Sequence, residues 1–413
     1  MSQSVQVLPS NEVIELSQLA NLMSTLEDER QALRPFHSSV LEFCESLARS
    51  LRENKAIRSK PALAALAWWL RPSSLSRLQD HWEKLSSSPN TLRVPRGIVF
   101  HIPPTNVETI LVYSWICSLL AGNANVIRIS SASSSEDQML LTILFETISK
   151  FPVIARTNIF VKYAHDAEIS EILSRSDVRA IWGGDSTVSA IKQVPASPRS
   201  IDIPFSNRFS FSVLSSDAIR EATSEEMKQL AHNFVNDSYW FDQVACSSPK
   251  LFFLLQPDEV HGDEPLRRLI GFLISELENK KIEVAASISM AKLVNSFSLA
   301  ADGLVTSIHR PNHRITIGEI SQLGSFPRDM PGGGLFYTAR IKSLQELSPF
   351  IDRADQTLTH FGIPEPQLRS FIESLNGRGI DRVVPVGEAL SFDVVWDGFD
   401  LFDSFSKLVH LKS

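Results

Sequence analysis

Several residues in this 413-residue chain have types and surroundings suited to chemistry. Cys246 lies in Phe241-Asp-Gln-Val-Ala-Cys-Ser-Ser-Pro249, a small, polar run between a helical stretch and the apolar run Leu251 to Leu255. A thiol at such a junction is either exposed and reactive as the thiolate or buried and inert, and the context leaves both readings open. Cys44 and Cys117 sit in apolar helical patterns and read as core, because free cysteine buries as a small apolar group. Asn106 stands at the start of a helix directly after a strand. Its amide N–H groups would stabilise a developing oxyanion, or its side chain caps the helix. Arg128 ends the next strand, where open parallel sheets bind nucleotides and a guanidinium suits a phosphate, or it is a solvated surface cation. In Trp182-Gly-Gly-Asp-Ser-Thr187 a glycine turn between strand and helix lets backbone approach a phosphate, or is a plain tight turn. Gly332-Gly333-Gly334 reads as a flexible loop first and a cofactor contact second. His101, inside an apolar strand, reads as a hydrogen-bonded core histidine rather than an acid–base group.

Other chemistries lack their residues. The chain contains no G-x-G-x-x-G, no Walker loop, no G-x-S-x-G and no H-E-x-x-H, and its 10 histidines are scattered. No metal site is expected. An odd set of 3 cysteines excludes a disulfide framework and fits a reducing compartment. With 40 basic against 47 acidic side chains, the formal net charge is −7 and no basic stripe is visible, so a nucleic-acid partner is not expected. No apolar stretch reaches the roughly 20 residues of a membrane helix, and Met1-Ser-Gln-Ser-Val-Gln6 lacks a signal-peptide pattern, so a cytoplasmic protein without a membrane span is expected. The hydrophobic share of 43% is enough for packed cores.

The elements that must position these residues follow from periodicity. Residues 1–90 read as helical, through Val13 to Met23, Val40 to Leu51 and Pro61 to Leu70. From Val94 short apolar strands alternate with helices: strand Gly97 to Ile102, helix Val107 to Ala121, strand Asn125 to Ile129, and helix Asp137 to Ser149 opened by the Ser133–Glu136 capping spacing. Strand Asn158 to Tyr163, helix Ala167 to Ser174, strand Val178 to Trp182 and helix Ser186 to Gln193 continue the series. Such alternation calls for right-handed crossovers and a doubly wound parallel sheet. A second block starts near Ala218, and the tail is expected to be β-like through Val383 and Phe392 to Trp396, then helical over Leu401 to Leu411.

In this order the pieces resemble the aldehyde dehydrogenase superfamily, and more narrowly the acyl-CoA reductases of the LuxC type. The residues that carry the likeness are Pro95 to Asn106, Ala121-Gly-Asn through Arg128, the Gly183-Gly184 turn and Asp242-Gln-Val-Ala-Cys-Ser-Ser-Pro249. Gly379-Ile-Asp-Arg-Val-Val-Pro-Val-Gly-Glu388 and Trp396-Asp-Gly398 add to it, and the likeness spans roughly residues 90–413. It implies an α/β, aldehyde-dehydrogenase-like architecture. The expected parts are a helical N-terminal region (1–90) packed on a cofactor domain, a doubly wound dinucleotide-binding domain (91–217), a second α/β catalytic domain (218–385) and a tail (386–413) returning to the core. It also implies Cys246 as nucleophile, Asn106 as oxyanion donor, and a cofactor site at Arg128, Ser130, Gly183 and Gly184.

Two departures stand out. Hydrolytic relatives carry a water-activating glutamate, whereas Pro204-Phe-Ser-Asn-Arg-Phe-Ser-Phe-Ser212 holds no carboxylate. Nor is there a counterpart near Gly332 to Phe336 of the acid those relatives place on the nicotinamide ribose. The implied activity is reduction of an acyl-CoA or acyl-carrier-protein thioester to an aldehyde, using NADPH or alternatively NADH. A homo-oligomer, or a partner enzyme handling the acyl group or aldehyde, is implied as well. A non-redox acyltransferase using the same cysteine, or a non-catalytic scaffold of this fold, stays open as an alternative.

Overall fold

A computed structural model describes residues 4–30, 33–58, 60–104, 109–130, 135–163, 169–258, 262–324 and 327–412. The chain forms two compact units, Met1–Asn207 with Phe392–Ser413, and Arg208–Ser391.

The first unit is built on strands β1 (Ser4–Leu8), β2 (Glu12–Glu15), β4 (Ile98–Ile102), β5 (Ala124–Arg128), β6 (Asn158–Lys162), β7 (Val178–Trp182) and β8 (Ile201–Phe205), with β3 (Thr91–Pro95) outside this sheet. Their order is β2-β1-β6-β5-β4-β7-β8. The strands from β6 to β8 are parallel, and β1 runs antiparallel to β6. The chain therefore winds outward from β4 to one side, then returns to β7 and winds to the other. That reversal between β4 and β7 is a topological switch point. The crossover helix Thr109–Leu120 is apolar nearly all round because helix Ser38–Glu53 covers the side turned from the sheet, with Phe43 edge-on to Trp115 at 5.6 Å.

The second unit is a sheet of β9 (Phe209–Ser215), β10 (Pro249–Leu255), β11 (Val305–His309), β12 (Thr316–Ile320), β13 (Leu335–Ile341), β14 (Asp355–Phe361) and β15 (Arg382–Pro385). Its order is β11-β12-β13-β10-β9-β14-β15, parallel except for β11. Separate apolar clusters pack against its faces, one around Phe211, Phe253 and Phe371, the other around Phe252, Phe336 and helices Ser224–Tyr239 and Glu264–Asn279.

Several expectations need correcting. Residues 1–90 are not all helical: β1 and β2 form a hairpin on the sheet edge, and helix Leu16–Glu29 begins only after it. The apolar pattern of Val13 to Met23 runs through both elements. The boundary expected at 217/218 lies at 207/208, because β9 is an inner strand of the second sheet. Of the expected tail, residues 386–391 stay with the second unit, and the chain from Phe392 belongs to the first, where Leu401, Phe402 and Phe405 enter the core. Leu401 to Leu411 is a one-turn helix, Leu401–Ser404, followed by strand β18 (Ser406–His410) antiparallel to β3; β16 (Val395–Trp396) and β17 (Phe399–Asp400) precede it. Ser133, read as a helix cap, lies outside the described residues, and that helix runs Ser135–Ile148.

Candidate active site

In the first unit Arg128, Ser130, Gly183 and Gly184 lie at the carboxyl ends of the parallel strands β5 and β7. Asn106, which follows β4, lies outside the described residues. Arg128 ends β5 with its guanidinium 4.9 Å from the centre of the Tyr163 ring, a cation–π stack that accounts for part of its half-buried position. Its Nε is buried with no hydrogen-bond partner among the described residues. Ser130 is half-buried, following Ile129, whose N–H donates to the Val161 carbonyl at 2.7 Å.

Gly183 and Gly184 join β7 to helix Asp185–Gln193 at the switch point. The Gly183 N–H donates to the Phe205 carbonyl (3.0 Å), and Gly184 is an N-cap with no side chain to occupy the first-turn N–H groups. A Cβ on Gly183 would press on Thr187 at 3.2 Å, whereas one on Gly184 would meet only the Asn207 amide at 3.5 Å. Gly184 has an ordinary negative φ, so it leaves the helix start uncovered rather than allowing a special backbone. Asp185 adds a negative charge there, with its carboxylate accepting the Asn207 N–H at 3.1 Å. An orphaned guanidinium nitrogen and an uncapped helix start at a switch point fit a dinucleotide's phosphates and ribose. Beneath this edge His101 is buried, bonded to Ser114 Oγ (2.9 Å) and Asn125 Oδ1 (3.0 Å). Burial pulls its imidazole down to about 4, opposed by the Asn125 bond, which makes it a neutral core histidine.

In the second unit Cys246 occupies the loop between helix Ser224–Tyr239 and β10. It is half-buried and in no disulfide, whereas Cys44 and Cys117 are fully buried and burial pushes both thiols up. The loop is clamped. Asp242 and Gln243 have left-handed backbones (φ 49° and 65°), and the buried Gln243 amide donates to the Pro249 and Leu335 carbonyls, both at 3.0 Å, while its oxygen accepts the Gly334 N–H at 2.9 Å. The Gly333 N–H donates to the Asp242 carbonyl at 2.8 Å. Cβ atoms on Gly332 and Gly334 would lie 2.5 Å from the Asp242 carbonyl oxygen and 2.2 Å from the Arg314 carbonyl oxygen. The triple glycine is therefore a tight brace under the cysteine loop, not a flexible segment. Ser210 Oγ of β9 donates to the Cys246 carbonyl at 2.7 Å and accepts the Thr357 N–H at 3.2 Å. A half-exposed thiol on so fixed a loop suits covalent acyl chemistry.

The acyl-CoA reductase (LuxC) family model matches residues 71–408. This chain belongs to that family. Its family and fold make it an oxidoreductase acting on acyl or aldehyde groups, with the acyl thioester as the family's substrate class. A search of the curated proteins finds no match. Among solved structures, a lactaldehyde dehydrogenase is similar at 12% identity and TM-score 0.66, over 96% of this chain and 91% of that one. A glyceraldehyde-3-phosphate dehydrogenase of Methanocaldococcus jannaschii complexed with NADP is similar at 14% identity and TM-score 0.61, over 99% and 98%. Aldehyde dehydrogenase 21 of Physcomitrella patens, in complex with succinate, is similar at 10% identity and TM-score 0.67, over 97% and 92%. These likenesses establish the aldehyde dehydrogenase fold. Among the described residues no helix is long and apolar enough to cross a membrane, and no cluster of metal-ligating side chains occurs.

The sequence pattern does not disclose the residues that fix the cysteine loop. Gln243 lies within the quoted motif, but its amide bonds reach residues far along the chain. Asp237, buried on the helix before the loop, accepts the N–H groups of Gly387 (2.6 Å) and Ala389 (3.1 Å), while its own carbonyl accepts Ser248 Oγ at 2.7 Å. Burial pushes its carboxyl up to about 7, with those backbone N–H groups opposing the shift. It joins the Gly379–Glu388 motif to the cysteine loop. The spacing of Asp237 from Leu230 and Phe234, which puts a carboxylate on the buried face of its helix, was the available signal.

Proposed function

We propose that this protein reduces an acyl thioester, carried by CoA or a carrier protein, to an aldehyde through an acyl group held on Cys246. The observation that carries this reading is that Cys246 is the one of the three thiols that is not fully buried and sits on a braced loop within a family of acyl-CoA reductases. Its thiolate attacks the acyl carbonyl, the carbon–sulfur bond to the carrier breaks, and the carrier thiolate leaves to take up a proton. Asn106 donates to the oxyanion formed in that attack. The missing carboxylate in Pro204 to Ser212 favours reductive over hydrolytic release, since nothing in that stretch activates water.

Arg128, Ser130, Gly183 and Gly184 would hold a nicotinamide cofactor, with the Arg128 cation favouring NADPH over NADH. When bound, the reduced nicotinamide supplies the hydride that turns the acyl group into an aldehyde. Cys246 is then released as thiolate. The NADP complex of the M. jannaschii relative supports this choice of cofactor.

The test is to incubate a panel of acyl-CoAs with the enzyme and follow NADPH and NADH consumption with aldehyde trapping. Aldehyde should form with NADPH, Cys246→Ala should form none, and Asn106→Ala should slow turnover by about 10²–10³. Aldehyde from the Cys246→Ala protein overturns the reading. Acyl transfer without any reductant consumption would favour the acyltransferase alternative.

A further inference from the structure

Lys250 stands four residues after Cys246, at an irregular point in the pairing of β10 with β9. Pro249 pairs with Ser210 and Leu251 with Phe211, so Lys250 is the extra residue of a bulge opposite two consecutive positions of β9. Bulges re-aim a side chain and are enriched beside active sites. Ser210, which faces the start of this bulge, is also the residue whose hydroxyl holds the Cys246 carbonyl at 2.7 Å. The Cys246 carbonyl and the backbone just before Lys250 are thus both held against Ser210 of β9.

Lys250 is half-buried, yet among the described residues it makes no hydrogen bond and no ion pair. The groups whose charges reach it are Cys246 and the exposed Asp329. A partly buried ammonium without a carboxylate partner is unfavourable unless an anion forms beside it. Burial lowers the Lys250 ammonium, and Cys246, then Asp329, pull it back up.

We propose that Lys250 is a positioning residue for the nucleophile: its ammonium holds Cys246 as the thiolate before the substrate arrives. A neighbouring lysine is a recognised way to make a cysteine reactive at neutral pH. The inference rests on Cys246 being the nucleophile of the proposed reaction, but its test does not need that reaction.

The experiment measures the rate at which iodoacetamide alkylates Cys246 as a function of pH in the full-length protein, by mass spectrometry of the Cys246 peptide. Lys250→Met, with Lys250→Gln as a second neutral variant, should move the rate profile to higher pH and slow alkylation at pH 7 about tenfold, the factor that one pKa unit represents. Lys250→Arg, which keeps the charge, should restore the wild-type profile to within about twofold. Neutral variants that fold, by circular dichroism, and keep the wild-type profile overturn the proposal. Absence of any acyl adduct on wild-type Cys246 would instead overturn the proposed reaction, leaving the alkylation comparison standing.

Discussion

The Gln243 side chain is the most consequential single group behind the cysteine loop. Its amide serves three backbone partners at once, the Pro249 and Leu335 carbonyls and the Gly334 N–H. Truncation leaves those buried groups unpaired, at about 1–3 kcal/mol for each one that water cannot reach. Gln243→Ala is therefore expected to lower stability by at least about 2 kcal/mol and to reduce turnover through a loosened loop. Chemical denaturation together with steady-state kinetics checks this, and unchanged values of both would refute it. At this scale the sequence was legible where a role depends on residue type and local pattern, as for the buried, hydrogen-bonded His101. It was silent where a role depends on distant partners, as for Gln243, Asp237 and Ser210. The triple glycine was misjudged for the same reason. Nothing local distinguishes a glycine needed for close approach to Asp242 and Arg314 from one that merely loosens a turn.

Among the elements, the parallel strands of the first sheet were readable because both of their faces are covered and their sequences are continuous apolar runs. β7 falls where its apolar pattern predicts a strand. β9, Phe-Ser-Phe-Ser-Val-Leu-Ser, escaped notice because its serines resemble a solvated face. Ser210 and Ser212 are in fact buried, bonded to the Cys246 carbonyl and to Thr359 Oγ1 (2.6 Å). The elements under the carboxyl edge of the first sheet are tied together by His101, which links β4 to β5 and to helix Thr109–Leu120. Its imidazole lies at about 4 when folded and near 6.5 when unfolded, so between these values only the unfolded chain takes up the proton. That contribution to stability is present above about pH 6.5 and is lost as pH falls towards 4. His101→Gln should flatten this acid-side loss in a series of thermal midpoints; an unchanged slope would show that His101 does not titrate as described.

For the whole molecule, pH dependence is a sum of opposed contributions from the two units. Asp237 in the second unit has a carboxyl raised to about 7 by burial, against about 3.9 unfolded. In that window the folded chain holds the extra proton, so this contribution is full below about pH 4 and is lost as pH rises to 7. The stability of the wild type relative to Asp237→Asn should accordingly shrink between pH 4 and 7, and a gap that widened would contradict the assignment. The division into two units was only partly legible, since the chain leaves the first unit at Asn207 and re-enters it at Phe392. Composition does not change at either point.

The central claim, that Cys246 carries the acyl group, is tested most directly by intact-mass spectrometry of the protein mixed with an acyl-CoA in the absence of reductant. A single adduct of the acyl mass, mapped to Cys246 and discharged as aldehyde when NADPH is added, is the expected result. No adduct with any acyl-CoA of the panel, or an adduct that survives replacement of Cys246 by alanine, would contradict it.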